Sequence, residues 1–113
     1  MLPESVTKIG DFMFSKCRRL TSIRIPQRVT KIGFFAFGGC SSLTSITLPE
    51  NVKEIEEDAF SDCSSLSSIT IPESVRKIEK GAFSNCKILT IIAPKGSYAA
   101  QYAKKHKIKL NEI

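Results

Sequence analysis

The chain has 113 residues, 42% hydrophobic and 25% charged, with a net charge of +6 at pH 7. That composition suits one hydrophobic core, is too apolar for a disordered segment, and contains no run near the ~18 apolar residues of a membrane-spanning helix. The charge is split: residues 1–48 hold seven Lys/Arg against two Asp/Glu, residues 49–94 five against eight, and residues 95–113 five against one, which is not the single basic stripe of a nucleic-acid groove.

From Pro3 onward the chain repeats itself every 23 residues. Pro3, Pro26, Pro49 and Pro72 fall in one column, as do Val6, Val29, Val52 and Val75, and Ile9, Ile32, Ile55 and Ile78. Phe14, Phe37, Phe60 and Phe83 form another column, followed by Cys17, Cys40, Cys63 and Cys86, and by Leu20, Leu43, Leu66 and Leu89. The first unit has no strand of its own ahead of Pro3, because Met1 is followed at once by Leu2 and Pro3. This predicts a first repeat truncated on its N-terminal side, Met1 being an added start residue, and no secretory leader; the alternative is a natural chain that begins here with the edge of its first coil exposed.

Within each unit the alternation of a stretch such as Leu43-Thr44-Ser45-Ile46-Thr47-Leu48 predicts a half-buried strand. Strands are expected near 22–25, 45–48, 68–71 and 90–93, joined in one parallel sheet. Proline then stops the ladder, lacking an N–H and fixing its own φ, and Val-x-x-Ile turns back inward as a shorter extended segment. Asp58 to Cys63 reads as a single helical or 3₁₀ turn. The exposed strand face is expected to carry Ser22 and Arg24, Ser45 and Thr47, Ser68 and Thr70, and Ile91 and Ala93. After Pro94, which arrives one residue early, Ser97 reads as the N-cap of a short helix with lysines in its last turn. Tyr98 and Tyr102, four apart, suit covering the end of the last coil, and Ile108-Lys109-Leu110 alternates as a final short strand.

A 20–29-residue period carrying L-x-x-I-x-L is the mark of a leucine-rich-repeat solenoid, in which no unit buries its core alone. The full unit, with its recurring Pro, Val/Ile pair, Ala-Phe and Cys, resembles the BspA-like (Treponema pallidum-type) repeats over residues 3–93. Lys95-Gly96-Ser97-Tyr98-Ala99 and Tyr102-Ala103-Lys104 are similar to that family's closing segment. The departures are the missing first strand and Met13, which stands where Ala36, Ala59 and Ala82 stand later. The resemblance and the period together predict an α/β fold: a right-handed solenoid of about four 23-residue coils over residues 1–93, then a helix–strand cap over 94–113. The resemblance implies a cell-surface or secreted protein contributing to adhesion to host or matrix proteins, with no cofactor and no catalytic residue set. A structural spacer, or an intracellular scaffold favoured by free thiols, are the alternatives.

No nucleophile–base pair, carboxylate cleft or phosphate-binding glycine loop is present in the sequence, so an enzyme is not expected. The uniform cysteine spacing lacks the close pairs of a zinc or iron–sulfur site. It predicts a ladder of four buried, reduced thiols pointing the same way, with Cys17 nearest an open edge. His106 lies far in sequence from any cysteine. Column comparison marks Phe12, Phe34 and Phe35 as a small exposed aromatic patch suited to an interface, the alternative being that they pack over the turn or against an upstream coil. Arg18, Arg19, Arg24 and Arg28 concentrate positive charge in the first unit, suited to an acidic protein or acidic glycan, the alternative being a solvated solenoid edge. The open first coil predicts self-association.

Overall fold

Two kinds of extended segment alternate along the chain in a computed structural model, which describes residues 2–113; Met1, read above as an added start, lies outside them. In chain order the elements are β1 (Lys8–Ile9), β2 (Lys31–Ile32), β3 (Ser45–Thr47), β4 (Glu54–Ile55), β5 (Ser68–Thr70), β6 (Lys77–Ile78), β7 (Thr90–Ala93), helix α1 (Tyr98–Lys105) and β8 (Lys109–Glu112). They wind through about five turns of roughly 23 residues, the fifth completed by β8.

Pairing is parallel throughout, but in two four-stranded sheets, β1-β2-β4-β6 and β3-β5-β7-β8. The longer strands share one parallel sheet, as expected, and the second sheet is an addition to that expectation. The proline after each longer strand bends the chain away, and the Val-x-x-Ile segments, though only two residues long, stack coil upon coil into a sheet of their own, with Ile9, Ile32, Ile55 and Ile78 in register.

Three further expectations are changed. Residues 22–25 form no strand. Ile25 still points inward at 3% exposure, but the segment is tied to the next coil by one backbone bond, from Thr44 N–H to Thr21 O at 3.1 Å, and has no ladder on its other side. In β7 the register slips: Ser68 faces Thr90 and Ile69 faces Ile91, an offset of 22 in place of 23. Ile91 and Ala93 are thus fully buried, while Thr90 and Ile92 take the outer positions expected for them. The early Pro94 was the sequence signal for this slip. Finally, the Asp58–Cys63 segment is neither helical nor 3₁₀. It is a staircase of turns, Ala59 N–H to Glu56 O at 3.2 Å and Ser61 N–H to Asp58 O at 3.1 Å, broken at four-residue intervals by left-handed Asp58 (φ 55°) and Asp62 (φ 60°). A left-handed residue cannot propagate a right-handed helix.

The core is a set of identical residues stacked along the solenoid. Phe14, Phe37, Phe60 and Phe83 lie ring over ring, with centroids 5.3, 5.2 and 5.7 Å apart and planes within 13°. Each thiol after the first donates to the carbonyl of the phenylalanine 26 residues earlier: Cys40 to Phe14 and Cys63 to Phe37 at 3.1 Å, Cys86 to Phe60 at 3.0 Å. Ala36, Ala59 and Ala82 are buried beside them, small enough to let adjacent turns approach. The approach is tight at Gly33, where a β-carbon would sit 2.7 Å from the Ile9 carbonyl oxygen.

The last coil is closed by α1 and β8. Ser97 caps the helix by accepting from Ala100 N–H at 3.2 Å, and Lys104 and Lys105 occupy the last turn, as expected. Tyr102 meets the end of the phenylalanine stack, 6.2 Å from Phe83, and the Tyr98 hydroxyl accepts from Ile78 N–H at 3.2 Å. β8 pairs with β7, one residue further on than the Ile108–Leu110 strand expected.

Candidate functional site

Phe12, Phe34 and Phe35 come together. Their centroids are 5.1 Å (Phe12–Phe34), 5.8 Å (Phe12–Phe35) and 6.4 Å (Phe34–Phe35) apart, with interplanar angles of 87°, 50° and 45°. Phe12 is 54% exposed and Phe34 36%, with Met13 at 47% beside them; Phe35 is half-buried, its ring lying against Gly38 where a β-carbon would collide. The rings thus both pack over the turn and remain open to water.

The backbone beneath them is unusual. Phe12 has φ 60° and Phe35 φ 51°, in the column that Asp58 and Gly81 fill in the later coils. Glycine, aspartate and asparagine enter the left-handed region with least strain, whereas a bulky side chain there costs about 1–2 kcal/mol. The first two coils hold aromatic residues where the later ones hold residues suited to the backbone, and the rings are not buried in return. Strain of this kind is concentrated at functional positions.

The four arginines are not brought together. All are exposed. Arg18 and Arg19 lie in the turn after Cys17, Arg24 on the extended stretch, and Arg28 in the turn after Pro26, with a stretch of about 20 Å between the two turns. Arg24 is ion-paired with Glu4, a contact sequence reading did not foresee. Of the other basic groups in this half, Lys31 lies 3.2 Å from Glu56 and 3.9 Å from Glu54, and the hydrogen bond to Glu56 holds its ammonium above the ordinary lysine pKa. Lys8, Lys16, Arg18, Arg19 and Arg28 have no ion pair among the described residues.

The thiols are free, but only Cys40 and Cys63 are buried. Cys17 and Cys86, expected to be buried as well, are half-exposed because they stand at the two ends of the ladder, Cys86 opening onto a hollow of about 530 Å³ beside Lys87 and Lys107. Burial raises the pKa of Cys40; the contact with Cys86 and burial raise that of Cys63. A thiol whose pKa is raised on folding stabilises the fold while protonated; this contribution is complete below the ordinary value near 9 and is lost as pH rises through the folded value. A thiol reagent at neutral pH is accordingly expected to label Cys17 and Cys86 in the native protein, and Cys40 and Cys63 only in denaturant. Fewer than four labelled groups in denaturant without reductant would reveal a disulfide.

His106 stacks on Tyr102 at 4.1 Å. Among the described residues no group of three or more His, Cys, Asp or Glu side chains is arranged to hold a metal ion.

Residues 1–110 match the family model described as BspA type leucine rich repeat region, in six copies. The chain is 36% identical to a leucine-rich repeat protein from Bacteroides ovatus, with a TM-score of 0.81 over 95% of this chain and 28% of that one. It is 30% identical to a leucine rich cell surface protein from Faecalibacterium prausnitzii (TM-score 0.70, 99% of this chain and 35% of that one). Against the leucine rich repeat protein of T. pallidum the figures are 28% and 0.67, over 80% of this chain and 56% of that one. The chain therefore spans well under two thirds of these proteins. No curated protein matches it.

Proposed function

The chain belongs to the BspA-type leucine-rich repeat family, whose repeats generally serve as protein-interaction modules, and from that premise we propose that it is a non-enzymatic adhesion module of a larger cell-surface or secreted protein. The surface context is supported by the cell-surface protein of F. prausnitzii, 30% identical to it. The observation that carries the reading is the exposed Phe12–Phe34–Phe35 cluster, set on strained backbone at the basic end of the solenoid. Exposed aromatic side chains and arginines are among those enriched at protein interfaces. The partner is a host or matrix protein with an acidic surface, or an acidic glycan, captured by Arg18, Arg19, Arg24 and Arg28 and anchored on the rings.

The test is binding to immobilised acidic extracellular-matrix proteins and to heparin across a salt series. Screening acts over about 8 Å at physiological ionic strength, so capture is expected to weaken as salt rises, and to weaken further in Arg18→Ala/Arg24→Ala. Phe12→Asn/Phe34→Ser should lose binding at every salt concentration without lowering Tm, since asparagine tolerates the left-handed backbone that phenylalanine strains. Equal binding by all three proteins throughout would remove this surface from consideration. Self-association through the first coil has the opposite sign: like charges oppose it, so it is expected to grow with salt.

A further inference from the structure

The turn of each of the first three coils donates backbone hydrogen bonds to the turn that follows it. Phe12, Phe35 and Asp58 N–H reach the carbonyls of Phe34, Glu57 and Lys80 at 2.9, 3.1 and 3.2 Å, and Phe14, Phe37 and Phe60 N–H reach those of Ala36, Ala59 and Ala82 at 2.8 Å. Lys16, Gly39 and Asp62 N–H complete the rows at 2.7, 2.8 and 2.8 Å. In the fourth coil the same columns hold Gly81, Phe83 and Asn85, and none of their N–H groups has a backbone acceptor among the described residues. The cap is the reason. Helix α1 stands where a fifth turn would stand, and its last carbonyls are taken within the cap, Tyr102 O by His106 N–H and Ala103 O by Ile108 N–H, both at 2.9 Å.

Between the fourth turn and the helix lies a cleft of about 490 Å³, with Lys80, Gly81, Phe83, Tyr102, His106 and Ile108 in its walls. Past Tyr102 and His106 it continues into a hollow of about 300 Å³ that reaches Lys105. Both walls belong to consecutive coils of this chain, so the cleft is a junction within the solenoid and not one of its ends. By the pattern of the three earlier junctions, Gly81 and Phe83 N–H are directed across it toward α1. Asn85 is exposed, and its N–H is open to water. Phe83 is only 8% exposed, and an unpaired donor in such surroundings needs an acceptor from outside the fold.

Backbone N–H groups aimed into a concavity favour anions. The side chains agree in sign: Lys80 and Lys105 flank the cleft, and the Glu79 carboxylate in its wall is held by Lys77 at 3.0 Å. Asp58, whose carboxylate lies against Gly81, belongs to the third coil and does not line the cleft. In the other coils the two donors serve separate carbonyl oxygens, so a single oxygen does not meet both. The ligand that fits has a charged oxygen for the basic side chains, further acceptor oxygens for the donors, and a body that lies against Tyr102 and Ile108. We propose that the cleft between the fourth turn and the cap helix binds a sugar acid of hexuronate size, free or at the end of an acidic glycan chain. Its carboxylate lies toward Lys80, Lys105 and His106, and its hydroxyl and ring oxygens accept from Gly81 and Phe83 N–H. The volume is in the usual range of small-ligand sites, where apolar walls carry a few polar groups. The site goes beyond the adhesion reading, shares no residue with the Phe12–Phe34–Phe35 surface or its arginines, and does not depend on them.

The test is titration of glucuronate, and separately of a disaccharide ending in glucuronate, into the isotope-labelled full chain at low salt, followed by amide chemical shifts. Gly81 and Phe83 are expected to shift in a saturable way. Glucose, which has a hydroxymethyl group in place of the carboxylate, should bind at least tenfold more weakly. Lys80→Ala/Lys105→Ala replaces two exposed side chains, leaves the fold intact, and should weaken glucuronate at least tenfold. Saturation by the disaccharide at lower concentration assigns the site to a glycan end, and the reverse assigns it to the free acid; either result supports the proposal. It is overturned if Gly81 and Phe83 do not shift at tens of millimolar glucuronate, or if shifts are confined to the Arg18–Arg28 region. Equal binding of glucose, or equal binding by the lysine variant, overturns it as well. Each of these leaves the matrix-binding test of the adhesion reading intact, and loss of matrix binding in the phenylalanine variant leaves the glucuronate result intact.

Discussion

Phe60→Ala is expected to lower stability by about 3–5 kcal/mol, the usual cost of emptying a buried phenylalanine site. Phe60 is fully buried and stands between Phe37 and Phe83, 5.2 and 5.7 Å away. Its neighbours are held by their own coils at fixed spacing and cannot collapse into the void. The carbonyl of residue 60 also accepts the Cys86 thiol, so a local shift would disturb the thiol ladder as well. Urea titration followed by circular dichroism measures the loss, with Phe14→Ala as the comparison. Phe14 is half-exposed and has one stacked neighbour, so its loss is expected to cost less than half as much. Equal costs for the two would mean that the stack is not the unit of stability.

Deleting residues 94–113 is expected to do more, on the order of 5 kcal/mol or above, which for a domain of ordinary stability of 5–15 kcal/mol brings the chain to the edge of unfolding. The cap buries Ala99, Ala100 and Ala103 and half-buries Tyr102, Ile108 and Leu110, and its removal uncovers Phe83, Leu89, Ile91 and Ala93 together. At about 25 cal/mol per Å² of apolar surface, exposing so many side chains outweighs any single substitution. It also leaves β7 as an unprotected edge without β8. The deleted chain should melt early or sediment as aggregates; a monomer that unfolds within a few degrees of the full chain would show that residues 94–113 are not a cap.

Much of this fold was legible because a solenoid writes its contacts as a period. Columns such as Phe14 to Phe83 or Ile9 to Ile78 are stacks in the sequence before they are stacks in space. The helix was legible through Ser97 and the lysines, and the aromatic cluster through columns whose other members are polar. What escaped reading has local causes. Left-handed φ recurs with the period, at Phe12, Phe35, Asp58 and Gly81, and its only sign in the sequence is the Asp and Gly of that column; read within one unit, the turn at Asp58 looked like a helix. Residues 22–25 carry a strand pattern as good as that of 45–48, yet the only backbone bond to the coil beside them is the one from Thr44 to Thr21. The Arg24–Glu4 pair spans two segments whose approach the period does not describe.

The slip between Leu66 and Thr90 has a consequence for how such an array changes over generations. A whole unit can be duplicated or lost at any junction ahead of Leu66, because the 23-residue offset restores every column. The shortening ahead of β7 does not interrupt this: Pro94 comes early by the same one residue, so strand and proline move together and Ile91 still stacks on Ile69. What a unit must preserve is the order of its inward residues and not its length. A turn can therefore lose a residue without the core losing a layer.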